Sequence, residues 1–178
     1  MKKLAYAAFL LLLAGCANDA AKAPADQITF NDFEAVEGYT NGAAVPSLTK
    51  ERAHSGTFAI RVANGVDYSL GYMNLLGKMS PTRLRKIKIQ AWVYVPSAQA
   101  NCVLVTQVRN LTQDKDIFWD GLDLTKTAKG VNKWVLVEKE VTLPETATYA
   151  DQLLIYMWRG NSPQPTYLDD LRITRVDS

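Results

Sequence analysis

The sequence predicts an all-β domain, an antiparallel β-sandwich or jelly roll of about ten strands in two sheets. Three observations predict it. Apolar residues recur with a period of two, most clearly where Ile87, Ile89, Ala91, Val93 and Val95 alternate with Lys86, Lys88, Gln90, Trp92 and Tyr94. From Ile28 onward no stretch keeps the 3.6-residue period of an amphipathic helix, so the crossovers of a parallel sheet are missing. Turn-rich pieces separate the apolar runs, among them 37–42, His54-Ser55-Gly56 and 161–165. Internal repeats are absent, which argues against a propeller.

In chain order, Lys2 and Lys3 precede the apolar run 4–14, followed by Gly15 and Cys16. A membrane span needs about 20 apolar residues, so this shorter run reads as a secretory signal. Leu13-Ala14-Gly15-Cys16 resembles the lipobox of bacterial lipoproteins, which implies cleavage before Cys16 and lipid on its thiol. On that basis residues 1–15 are a signal peptide, 16–27 the lipidated cysteine and a flexible tether, and 28–178 the domain. Several acyl chains on one cysteine anchor a protein stably to a membrane. The expected location is the bacterial cell envelope, at the outer membrane or cell surface rather than the inner membrane. Strands are expected over 28–34, 47–52, 57–62, 68–75, 86–95, 102–110, 117–124, 134–143, 152–159 and 167–176.

Charge narrows the partners. The chain carries 20 Lys and Arg against 18 Asp and Glu, and loss of Lys2 and Lys3 leaves 18 of each. A nucleic-acid binder needs a basic excess to displace counterions, so none is expected as a partner. The single histidine, His54, disfavours multi-histidine metal sites. With Cys16 lipidated, Cys102 is the remaining thiol and no intrachain disulfide can form. Cys102 opens the apolar run Cys-Val-Leu-Val and reads as a small buried hydrophobe.

The ordered set of Phe33-Glu34, His54-Ser55-Gly56 leading into Thr57–Val62, Ala91-Trp92-Val93, Trp134 with its alternating strand, and 167–173 resembles a carbohydrate-binding module of the galactose-binding-like jelly-roll type. Such modules are attached to cellulases and xylanases. The resemblance spans nearly all of 28–178. It implies sugar binding without catalysis and, often, a structural calcium ion. Asp169 shares parity with Leu171 and Ile173, which should face inward, and a buried carboxylate needs compensation. Glu34 on a neighbouring strand and Asp169 are the candidate calcium ligands, with backbone carbonyls near Ser55. Capping of backbone amides, or pairing with an arginine such as Arg61, is the alternative.

Parity also selects a ligand face. If each apolar row faces the core, Trp92, Tyr94, Gln107, Arg109, Trp119, Asp123, Tyr156 and Trp158 point outward. Sugars take flat rings under their C–H groups and planar polar groups across adjacent hydroxyls. Trp119, Trp158, Tyr156, Trp92, Tyr94, Arg109 and Gln107 supply both, so a poly- or oligosaccharide is the expected partner. Trp134, at the start of its strand, reads as packing. Glu138 and Glu140 share one face, as a glycosidase pair would, but alternate with Lys139 as a solvated strand does. Two further functions stand beside sugar capture: a structural or protein-interaction envelope lipoprotein, and a polysaccharide lyase using His54. Catalytic residues are not expected.

Overall fold

Period-two burial decides the architecture. The computed structural model describes residues 24–176, so the signal peptide, Cys16 and most of the tether lie outside the described residues. All ten expected strands form: β1 (Gln27–Asn31), β2 (Leu48–Thr49), β3 (Ala59–Val62), β4 (Tyr72–Leu75), β5 (Lys86–Tyr94), β6 (Val103–Asn110), β7 (Lys115–Asp123), β8 (Trp134–Thr142), β9 (Gln152–Trp158) and β10 (Thr166–Arg175). Three helical turns that periodicity did not indicate are also present: α1 (Val36–Tyr39), α2 (Leu76–Met79) and α3 (Leu124–Ala128). Each has four or five residues, too few to show a 3.6-residue pattern.

The strands pair antiparallel in two sheets. One has the order β2-β3-β10-β5-β8, with β1 also on β10; the other has the order β4-β9-β6-β7. This is the expected jelly-roll sandwich. β3 pairs with 166–168 of β10 and β1 with 171–174, so both strands lie end to end along one flank. Ile87, Ile89, Ala91 and Val93 of β5, with Val137 and Val141 of β8, meet Leu104 and Val108 of β6 and Leu153, Ile155 and Met157 of β9 in one buried core. Transfer of such side chains from water contributes about 1.5–3 kcal/mol each and is the main force closing the sandwich.

One inward position on β8 is a cation. Lys139 lies opposite Ile89, yet its Nζ crosses to Asp120 Oδ1 at 2.6 Å and to the Gly121 carbonyl at 3.3 Å. The pair joins β8 to β7, the edge strands of the two sheets, with both side chains about 30% exposed. Cys102 is fully buried, and burial pushes its thiol up to about 12.

Candidate functional site

The predicted ligand face divides between the two sheets. Register places Trp119 of β7 opposite Gln107 of β6, and Gln107 opposite Leu154 of β9, which pairs with Met73 of β4. The neighbouring rows run Gly121, Val105 and Tyr156, then Asp123, Val103 and Trp158, and on the other side Asp116, Arg109 and Gln152. Residues directly opposite across a ladder share a face. Trp119, Gln107, Arg109, Tyr156 and Trp158 therefore lie together on the outer face of the four-stranded sheet.

Trp119 is 54% exposed. A Cβ at Gly121 would stand 2.7 Å from Trp119 Cη2, so the indole lies over the backbone of Gly121 and only glycine leaves room for it. Tyr156 donates its hydroxyl to Gln107 Oε1 at 2.9 Å, and Tyr68 meets the Tyr156 ring edge-on at 5.9 Å. Burial, with Tyr68 and the Asp116 charge nearby, pushes the Tyr156 phenol above its ordinary value, so it remains a donor. Gln107 is thereby held in one orientation, and it is buried, with 8% of its surface exposed. Arg109 donates to Asp114 at 2.7 Å and to Asp116 at 3.4 Å. The bond to Asp114 above all holds its guanidinium above its usual range.

Trp92 and Tyr94 belong elsewhere, a correction to the parity reading. Both do point away from the core, but from β5, which lies in the six-stranded sheet. There the segment after β2 covers Tyr94 and one face of Trp92, which stays half-buried and lines a hollow with Phe30, Gln90, Leu136 and Arg172. His54 stacks on Trp92 with centroids 3.9 Å apart and planes 12° from parallel, and Arg52 lies 4.5 Å over the Tyr94 ring. Trp134 meets His54 and Tyr94 edge-on, as packing. Tyr94 is 8% exposed. Parity gives the direction of a side chain, not the sheet that carries it nor the loop that covers it.

Asp169 also departs from its expected orientation. It lies opposite Trp92, an outward position, while Ile173 lies opposite Ile89, an inward one. A register shift between Asp169 and Arg172, with Asp170 at φ 51°, separates the two parities. The carboxylate is nevertheless fully buried, because the 54–58 turn folds over it. Oδ2 accepts the amides of His54 at 2.7 Å and Ser55 at 3.1 Å, and Oδ1 accepts that of Asp170 at 2.7 Å. Glu34 Oε1 takes the amides of Thr57 and Phe58, each at 2.7 Å. Amides of the turn, rather than carbonyls, face the two carboxylates. Among the described residues no three metal-ligating side chains gather. The calcium expected at Glu34 and Asp169 thus has a competitor in the turn itself, whose amides take up the same carboxylate oxygens.

His54 Nδ1 lies 2.6 Å from Asp170 Oδ2, and Ser55 Oγ donates to Asp170 Oδ1 at 2.7 Å. Stacked and bonded in this way on the far sheet, His54 is placed to hold the turn and not to meet a chain on Trp119. Glu138 and Glu140 pair with Lys88 at 2.9 Å and Lys86 at 3.2 Å on that same far sheet. The aromatic face lies on the outer side of the four-stranded sheet. Hollows lie elsewhere, one of about 320 Å³ among Leu76, Leu84 and Tyr149 and one of about 510 Å³ among Val45, Leu48 and Phe58.

With this geometry the solved structures of similar fold can be compared. The xylan-binding domain CBM22-1 of Paenibacillus barcinonensis Xyn10C superimposes with a TM-score of 0.55 at 20% identity, over 86% of this chain and 96% of that one. A xylan-binding domain from CBM 22 gives 0.54 at 13% identity, over 86% and 97%. The likeness is one of fold. In sequence, endo-1,4-β-xylanase A of Thermotoga neapolitana is 25% identical over 138 residues, 74% of this chain. The corresponding Thermotoga maritima enzyme is 26% identical over 131 residues. The chain spans about 12% of the length of each of these xylanases. No family model matches.

Proposed function

We propose that this chain binds a linear polysaccharide along the outer face of β4, β9, β6 and β7 without cleaving it, and that lipid on Cys16 holds it at the bacterial cell envelope. The observation that carries the reading is the convergence of Trp119, Tyr156, Trp158 and Arg109 on one outer sheet face, with buried Gln107 bonded to Tyr156 among them. Strand spacing and rise put the Cα atoms of Tyr156 and Trp158 about 12 and 17 Å from that of Trp119. An array that long suits a chain of several sugars better than a single ring. Each ring contributes about 0.5–1.5 kcal/mol beyond its area burial, so two or three give the weak, reversible affinity that surface capture uses. Xylan is the first ligand to try, because the structures of like fold are xylan-binding domains.

Affinity electrophoresis in soluble xylan tests the site. Trp119→Ala should lose retardation at least 10-fold while its thermal midpoint stays within about 2 °C, since the ring is mostly in solvent. Retention of full binding would remove the face from the account. For the anchor, Cys16→Ala should move the protein from the detergent phase to the aqueous phase, and an unchanged partition would reject lipidation.

A further inference from the structure

The charges around the aromatic face are paired in a way that bears on which glycans it takes, and this inference rests on the polysaccharide reading above. Arg109 is the one cation within the outward rows, and it is shared between two carboxylates, Asp114 and Asp116. Asp114 is 85% exposed at a hairpin position with φ 50°, so its charge stands in the solvent beside the row that Arg109 ends. At the rim Lys126 is taken by Asp123 at 2.8 Å and Arg159 by Asp67 at 2.6 Å. Lys115 lies opposite Asn110, one position off the outward row. The guanidinium that would otherwise receive a sugar carboxylate is thus already engaged by two carboxylates, a trio one negative charge in excess that exposed Lys115, between the two aspartates in sequence, offsets only as a separate charge.

We propose that Asp114 and Asp116 act as specificity residues: by holding Arg109 they make the face select uncharged glycan chains and turn away chains bearing uronic acids. Arg109 still carries N–H groups that its aspartates do not use, which suit hydroxyl acceptors. A uronate arriving at the same place meets two carboxylates within a Debye length, about 10 Å at 0.1 M salt.

Three ligands with one backbone test this by isothermal titration: a linear xylo-oligosaccharide, the same chain carrying one glucuronic acid, and the methyl ester of that acid. The plain chain and the ester should bind alike, and the acid about 3- to 10-fold more weakly at low salt, a gap that closes at high salt. In the double variant Asp114→Asn, Asp116→Asn the acid should match or exceed the ester, with circular dichroism confirming the fold. Acid binding equal to or above that of the ester in the unaltered protein overturns the proposal and leaves the sugar face standing. Equal weakening of acid and ester shows exclusion by bulk and also overturns it. Failure of all three ligands takes down the polysaccharide reading with it.

Discussion

His54 makes three contacts at once: a stack on Trp92, an edge contact with Trp134 and an ion-pair distance to Asp170. Trp92 consequently packs under His54 where Trp119 stands mostly in solvent, although the alternation of hydrophobic residues treats the two alike. Trp92→Ala should lower stability by on the order of 2 kcal/mol in urea denaturation without altering retardation in xylan, the inverse of the Trp119 variant. Cys102 offers a second measurement at this scale. An unfolded thiol ionises near 9.0, whereas the buried one holds its proton to about 12. The folded pKa is the higher, so this contribution is complete below pH 9 and is lost as the pH rises through the window to about 12. The loss amounts to about 1.4 kcal/mol per unit in that window. Cys102→Ala should flatten the alkaline limb of the stability curve, and a limb of unchanged slope would show that the thiol plays no part. Single residues legible in the sequence were those whose direction alone mattered, such as Trp119, Tyr156 and buried Cys102. Trp92 and Tyr94 were not, because their fate depends on residues 40 positions away in sequence.

Between elements, the turn from His54 to Phe58 is fastened by Asp169 and Glu34 through four of its amides. Asparagine at 169 keeps one acceptor and sets an N–H₂ group among amide donors. Asp169→Asn should therefore cost about 2–4 kcal/mol, read from the urea midpoint, and a cost below 1 kcal/mol would contradict the cap. Gly56 fits between these anchors at φ 57°, where a Cβ would stand 2.5 Å from the Glu34 carboxyl carbon. Gly56→Ala should free the turn over Trp92 and raise the near-ultraviolet signal change of that indole on mild heating. Nine of the ten strands present two or more alternating apolar positions, and β2, with Leu48 alone, was legible from its place between turn-rich pieces. The β10 bulge was not, since a register shift leaves no trace in composition, and it reversed the orientation assigned to Asp169.

As a whole, the molecule closes without disulfides or clustered metal ligands among its described residues, its stability resting on the core between the sheets. Calcium and its chelation should accordingly leave the thermal midpoint unchanged. A rise of several degrees with calcium, reversed by chelator, would restore the ion to Glu34 and Asp169.

β1 joins the sheet that faces away from Trp119, its first residue, Gln27, lying opposite Thr174. The described chain thus enters the sandwich through Asp26 and Gln27 in the back sheet, one layer, about 10 Å, away from the sheet that carries the rings. The strand that opens the described chain therefore belongs to the layer His54 caps, and the layer bearing Trp119 is free of it.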